Sequence, residues 1–544
     1  MLIQKLNEIL KIHSNIRDNI PRSSLIQECF NNKEAILTKS GALATWRAPE
    51  STGRSPKDTV VVRRDIEKNI DWNAPNNIAI TEETFDLAWQ DALKLLSQKE
   101  KIYISDRVIG ADPSYALPVK AISDKALPIL FTYNMFRNVP DELTESIFAE
   151  KQFNLLILPY DKLDRLKFEG RLRKLPDGQI SNMMIAVDFE RHLGLVYGSS
   201  YCGSAKKLMF TVMNYYLPAE KILPLHCSAN EGKDGDITLL LGLSGTGKTS
   251  LSADPYRALL GDDEHGWSNN GIANFEGGCY AKLIDLDPEK EPEIYKACFG
   301  KKPYLENGAI IEDAMVYPDG SYDLFDSRYT PNSRGSYPLE FLSNIKQSSL
   351  GNHPRTILFL TADANGVLPP ISKLSQKQTM LWFLMGYTSK LAGTETGIID
   401  PLPSFSRFFG APFMPRIPED YTSLLWKLIE EHRTNIFLVN TGWSGGPYGV
   451  GKRMDIKLTR KLVNAALNGS LNKVEYEEDS LFHLNIPKSC PGVPSDILFP
   501  KNTWEDKVAF DERAQRLVND FKTYYDNNYL GKIDPDIQKE CPGY

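Results

Sequence analysis

Eight residues, Gly242 to Thr249 (GLSGTGKT), constrain this chain more than any other stretch. They fit the spacing GxxxxGK[ST]; the apolar run Ile237–Leu241 before them reads as a strand, and a helix can open at Lys248 after them. A glycine-rich turn between strand and helix aims successive backbone N–H groups into one concavity. Phosphate oxygens fit there, with Lys248 to neutralise charge and Thr249 to ligate magnesium. A plain glycine-rich turn is the alternative, and the flanking strand and helix favour nucleotide binding over it.

The rest of the sequence is that of an ordinary α/β chain. Its 544 residues allow two or three domains, and 42% hydrophobic with 24% charged residues excludes a disordered or disulfide-stapled polypeptide. Glu82–Gln98 carries Phe85, Ala88, Trp89, Ala92 and Leu95 on one helical face. Short apolar runs at Lys101, Leu155, Met183, Thr356 and Asn435 have the length of strands buried on both faces. Further helices are expected at Ala205–Leu217 and near Met380, Leu424, Leu458 and Phe510. We place a boundary near Ile222, which gives domains 1–222 and 223–544. The Gly393, Gly397 and Gly410 connection, rich in Thr, Ser and Pro, reads as a mobile lid near 385–400.

A net charge of −7 provides no general attraction to nucleic acid or an anionic membrane, so any anion site is built locally. No apolar run approaches the roughly 20 residues that span a bilayer. The N-terminus has neither a secretory nor a transit pattern. Seven scattered cysteines without a CxxC pair suit a reducing compartment, so a cytoplasmic protein is expected.

Several residues outside the glycine-rich turn can carry chemistry. Asp262 and Asp263 end an apolar run in LLGDDEHGW, where carboxylates can hold a divalent cation; two turn aspartates are the alternative. Arg54 in STGRSPKD can grip a carboxylate bidentately. Tyr201, Lys206 and Lys207 stand in YCGSAKKLMF, where the lysine pair opens a helix and opposes its macrodipole unless an anion or metal cluster sits there. Taken singly, these cations also read as solvated charge. His226 in PLHCSAN, beside Cys227, is a ligand or a structural histidine. Arg334 in PNSRGSYP, Glu291 in EKEPEIY and the glycine-dense TGWSGGPYGVGKRMDIKLTR complete the set.

Together, STGRSPKD, YCGSAKK, PLHCSAN, GLSGTGKTSLS, GDDEHGW, NFEGGCYAK, NSRGSYP, GTETG and GWSGGPYGVGKR stand in the order found in phosphoenolpyruvate carboxykinase of the ATP-using family. The resemblance runs from Gly53 to Thr459. It implies an α/β, two-domain fold: a substrate-binding N-terminal domain, a phosphate-loop nucleotide-binding C-terminal domain and an active-site cleft between them. It also implies the gluconeogenic reaction of oxaloacetate and ATP to phosphoenolpyruvate, CO2 and ADP; charge and hydropathy point to no nucleic-acid or membrane partner, and the sequence does not fix the oligomeric state, a monomer being only slightly favoured.

By the same resemblance, Arg54 matches the arginine that binds the substrate carboxylate, and Tyr201 and Lys206 the residues lining the substrate site. Lys207, His226 and Asp263 match manganese ligands, with Lys207 ligating as the neutral amine. Gly242, Leu243, Ser244, Gly245, Thr246, Gly247, Lys248, Thr249 and Ser250 match the ATP cradle. Asp262 falls near a second metal, magnesium, and Arg334 matches the arginine reaching the transferred phosphoryl group. Lys282, Glu291, Arg453, Met454 and Thr459 match the adenosine pocket. Met454 stands where isoleucine is common, and the residues between Tyr201 and Lys206 also depart from the family pattern. A small-molecule kinase on the same loop explains the turn but not the metal-ligand set outside it. A scaffold that hydrolyses ATP slowly would leave Arg54, Lys206, Lys207 and Arg334 as surface charge.

Overall fold

Ile237–Leu241 (ITLLL) is buried at every position, as a strand covered on both faces must be. It pairs in parallel with Pro354–Thr361, which pairs in parallel with Asn435–Asn440. Its other edge takes Leu223–Glu231 antiparallel. The computed structural model describes residues 2–64, 69–252, 254–390 and 402–544. It divides into two compact units, and these strands belong to the second, Glu220–Ile272, Ser349–Ala411 and Pro418–Tyr544. Helix Ile456–Leu467 packs Leu462, Val463, Ala465 and Ala466 against Leu240, Leu358, Phe437 and Val439 of the sheet.

Parallel strands end at a common edge, so the connections that follow them meet there. The Thr441 hydroxyl donates to the Thr246 carbonyl at 2.9 Å, and the Trp443 N–H donates to the Asp363 carbonyl at 2.9 Å. The glycine-rich turn, the loop after Thr361 and the loop after Asn440 are thereby tied together.

The first unit comprises Met1–Ala219, Ala273–Ser348 and Pro412–Ile417. Among the described residues its larger sheet has eight strands, in the order Ile16–Asp18, Ile102–Ile109, Leu117–Ser123, Phe153–Leu158, Leu193–Tyr197, Met184–Asp188, Thr59–Val62 and Ile78–Ile80. Helix Glu82–Leu96 starts on Thr81, whose side chain accepts from the Thr84 N–H, and buries Phe85, Ala88, Trp89, Ala92 and Leu96 on Val60, Ile104, Leu156 and Leu195. The helices and strands expected at 82, 101, 155, 183, 205, 356 and 435 are found within a few residues of those positions. The segment after helix Gly203–Tyr216 gave no strand signal, because Pro224 and His226 break its apolar run; it is the nine-residue strand Leu223–Glu231. The expected lid around Gly393 lies outside the described residues. Among the described residues no helix is long and apolar enough to cross a membrane.

A smaller sheet of the first unit runs Gly278–Lys282, Arg334–Pro338, Ile310–Glu312, Leu43–Thr45 and Ile36–Leu37. Its parallel register sets Thr45 opposite Glu312, so the chain just beyond Thr45 brings Arg47 to Glu312 and Asp313. The Arg47 side chain is 1% exposed and both carboxylates are 0% exposed. Arg47 Nε donates to Asp313 Oδ2 at 2.9 Å and a terminal nitrogen donates to Glu312 Oε1. The Tyr280 hydroxyl donates to the second Glu312 oxygen.

Removing one partner of a buried charge network leaves the others uncompensated. Arg47→Ala should therefore lower stability by about 3–5 kcal/mol, read as a drop in the urea midpoint. A loss below about 1 kcal/mol, the range of an exposed pair, would show that water reaches these carboxylates.

Candidate active site

The glycine-rich turn connects Ile237–Leu241 to the short helix Lys248–Ser252. Gly245 and Gly247 both have φ of +86°, a left-handed backbone that a residue with a Cβ rarely adopts, so the turn needs glycine there. Leu223–Glu231 lies beside it with Cys227 opposite Leu241, which sets His226 next to the start of the turn. Lys248 Nζ donates to Asp263 Oδ1 at 2.8 Å, and His226 Nε2 lies 3.1 Å from the same oxygen. His226 Nδ1 is 2.6 Å from the Phe409 carbonyl, which can only accept. Nδ1 therefore carries a proton, and Nε2 faces the Asp263 oxygen as a donor when the ring is protonated and through its lone pair when the ring is neutral. Burial pushes the Cys227 thiol well above its ordinary range, so this neighbour is inert as a nucleophile.

The loop after Asn440 closes over the turn. Arg453 donates from Nε to the Thr441 carbonyl at 3.1 Å and from a terminal nitrogen to the Gly245 carbonyl at 2.6 Å. Burial draws its pKa down. The Met454 N–H donates to the Gly442 carbonyl at 2.8 Å, and Thr459 is buried with its hydroxyl on the Asp455 carbonyl of its own helix. The Ser228 hydroxyl donates to the Asp262 carbonyl at 2.8 Å. The side chain of Thr249 lies outside the described residues.

In the first unit, Arg54 and Lys207 meet on one aromatic ring. The Arg54 guanidinium is 4.8 Å and Lys207 Nζ 4.7 Å from the Phe413 ring centroid, and Lys207 also lies 5.0 Å from that of Phe210. Both cations line an open pocket with Asn76, Ser204, Thr211 and Phe413. Lys206, by contrast, is buried and 3.1 Å from Glu276. Tyr201 is buried, with the Arg47 guanidinium 5.0 Å from its ring centroid. Lys282 and Arg334 stand opposite each other across an antiparallel pair, and burial followed by the Arg334 charge lowers the Lys282 pKa. Glu291 precedes helix Pro292–Phe299.

Sequence reasoning missed the groups that hold these side chains. Asp58 accepts from Arg173 at 2.8 and 2.7 Å, from the Ser181 hydroxyl at 2.6 Å and from Ser55 beside Arg54. Burial alone would raise its pKa; the hydrogen bonds from Arg173, Ser181 and Ser55 outweigh it and hold the carboxyl below its usual range. Phe413 gave no signal either, since nothing local distinguishes it from other phenylalanines in its run.

A family model described as phosphoenolpyruvate carboxykinase matches residues 14–496. A protein of Geobacillus kaustophilus named phosphoenolpyruvate carboxykinase (ATP) is 46% identical over 518 residues, 95% of this chain and 94% of its own length. Proteins of the same name from Caldanaerobacter subterraneus subsp. tengcongensis and Alkaliphilus oremlandii are 45% and 42% identical, covering 93% and 97% of this chain and 94% and 98% of their own lengths.

Because the Asp58 pKa is depressed on folding, its contribution to stability is complete above the unfolded value of about 3.9 and is lost as pH falls from there through the folded value. Asp58→Asn should thus be less stable than the parent by a gap that is constant from neutral pH down to about pH 5 and closes below about 3.9. Thermal melts across that range test this; a gap independent of pH would mean that Asp58 acts by shape and not by charge.

Proposed function

The chain belongs to the ATP-using phosphoenolpyruvate carboxykinase family, whose reaction turns oxaloacetate and ATP into phosphoenolpyruvate, CO2 and ADP, and from that premise we propose how its residues divide the work. It is a carboxy-lyase. The convergence of Lys248 and His226 on Asp263, beside a glycine-rich turn, carries the assignment of this site to phosphoryl transfer.

Loss of CO2 from oxaloacetate leaves the enolate of pyruvate, whose oxygen attacks the γ-phosphoryl group of ATP in line. Arg54 grips a substrate carboxylate; its place with Lys207 on the Phe413 ring supports this, because two cations lining one pocket favour a dianionic ligand. Tyr201 and Lys206 line the same substrate. The backbone donors from Gly242 to Ser250 cradle the phosphates, while Lys248 and Arg334 spread the charge of the transferred phosphoryl group. Lys282, Glu291, Arg453, Met454 and Thr459 take the adenosine. No covalent enzyme intermediate is needed. Seven cysteines, all free thiols, support a cytoplasmic setting.

The donor set fits a divalent cation. His226 Nε2 and Asp263 Oδ1 lie 3.1 Å apart, and with the ring neutral a single divalent cation could take both as ligands. A ring nitrogen whose partner N–H rests on a backbone carbonyl is also the usual form of a metal-bound histidine. His226, Asp263 and neutral Lys207 would hold manganese, and Thr249, with Asp262 nearby, would hold magnesium with ATP. Bound there, such ions would supply Lewis-acid stabilisation of the enolate oxygen and neutralise phosphate charge.

The deciding assay is oxaloacetate-dependent formation of phosphoenolpyruvate, with ATP preferred to GTP at matched concentration; equal or higher turnover with GTP contradicts the ATP assignment. Arg54→Ala should lower kcat/KM for oxaloacetate by about 2–5 kcal/mol while ADP affinity holds. Loss of ADP affinity alone would overturn its role. Lys207→Arg keeps the charge and cannot ligate, so it should lose manganese affinity and retain magnesium–ATP binding. Near-normal manganese affinity would make Lys207 a simple cation.

A further inference from the structure

The loop Tyr329–Arg334 is stapled to the segment Arg47–Arg54 at two points. The Tyr329 hydroxyl donates to the Arg47 carbonyl, and Asn332 Nδ2 donates to the Thr52 carbonyl at 2.8 Å. The other end of the same amide accepts from Arg334: Asn332 Oδ1 takes Nε at 3.1 Å and a terminal nitrogen at 2.9 Å. Arginine only donates and a backbone carbonyl only accepts, so the amide has a single orientation that satisfies both ends. The approach is close enough to restrict the sequence. A Cβ placed on Gly53 would come within 3.3 Å of Asn332 Nδ2, tighter than ordinary contact, so the turn before Arg54 is shaped to the amide.

We propose that Asn332 is a positioning residue that couples the two arginines: its amide fixes the Arg334 guanidinium relative to the Thr52–Arg54 turn, so that the phosphoryl group and the substrate carboxylate are held in register. The proposal rests on the roles given above to Arg54 and Arg334. Its chemical purpose follows from the intermediate. An enolate that forms while Arg334 is out of place has no phosphoryl group aligned to accept it and instead takes a proton at carbon, giving pyruvate. The bridge is a two-ended device, and only a side chain with a donor and an acceptor on one rigid plane can make both bonds. Aspartate keeps the acceptor for Arg334 but sets a carboxylate oxygen against the Thr52 carbonyl. Alanine keeps neither.

The test compares the full-length N332A, N332D and R334A variants with the parent in oxaloacetate, magnesium–ATP and manganese, quantifying pyruvate and phosphoenolpyruvate separately and subtracting oxaloacetate decay without enzyme. N332A and N332D should both lower kcat for phosphoenolpyruvate by about 10–100-fold and raise the pyruvate fraction, with KM for oxaloacetate changed by less than about 3-fold. General loosening of the fold would lower both products together and would not move their ratio. An unchanged kcat and ratio in N332A would overturn the proposal while leaving the arginine roles intact. Parent-like behaviour of N332D alone would overturn the bridge, because orienting Arg334 would then suffice. R334A forming phosphoenolpyruvate at the parent rate would instead remove the underlying assignment of Arg334. Thermal melts matched to the parent show that each variant is folded, and N332D, closest in shape, carries the test if N332A is not.

Discussion

Arg47 has no water to turn to. Its guanidinium lies between Glu312 and Asp313 inside the first unit, and Glu312 also accepts the Tyr280 hydroxyl and stands opposite Arg334 in the antiparallel register. Burial alone would lower the Arg47 pKa, but Glu312, Tyr280 and Asp313 hold it well above its ordinary value, so the cation is permanent. Burial raises the Asp313 carboxyl in spite of Arg47. Such a network tolerates no slippage, since each group desolvated without its partner costs several kcal/mol. The Tyr201 ring, the Arg334 strand and the start of the Arg54 turn are all attached to it. Their mutual placement is thus set by charges buried inside the unit.

Lys206 and Lys248 rest on carboxylates, Glu276 and Asp263, and the cationic ends of Arg54 and Lys207 also lie against one aromatic ring, whose quadrupole adds to what holds them in place.

The glycine-rich turn was legible because its pattern is local: two left-handed glycines, a lysine and a strand lie within thirteen residues. Buried parallel strands such as Ile237–Leu241 were legible by their uniform apolarity, and helix Glu82–Leu96 by its stripe. The supporting groups were not. Arg47 meets Asp313 across 266 positions, and Asn332 meets Thr52 across 280. In sequence Arg47 sits in TWRAP and Asn332 in PNSR, polar stretches indistinguishable from surface turns. His226 was visible only as a lone histidine, since the strand that orients it is interrupted by proline and pairs on both edges through long-range contacts. The family was readable from short local motifs, and the groups that position those motifs were not, because pairing distant in the chain leaves no periodic trace.

The first unit ends with Pro412–Ile417, six residues that lie between two stretches of the second. Phe413, the ring beneath Arg54 and Lys207, is among them. During synthesis the N-terminal sheet emerges first and can begin to order. Its anion pocket, however, lacks a wall until more than four hundred residues have left the ribosome. The two cations are made early and their shared ring late, so a nascent chain cannot complete the lining of this pocket. A fragment cut between the second and third stretches of the first unit would carry Arg54 and Lys207 without the surface that keeps them together.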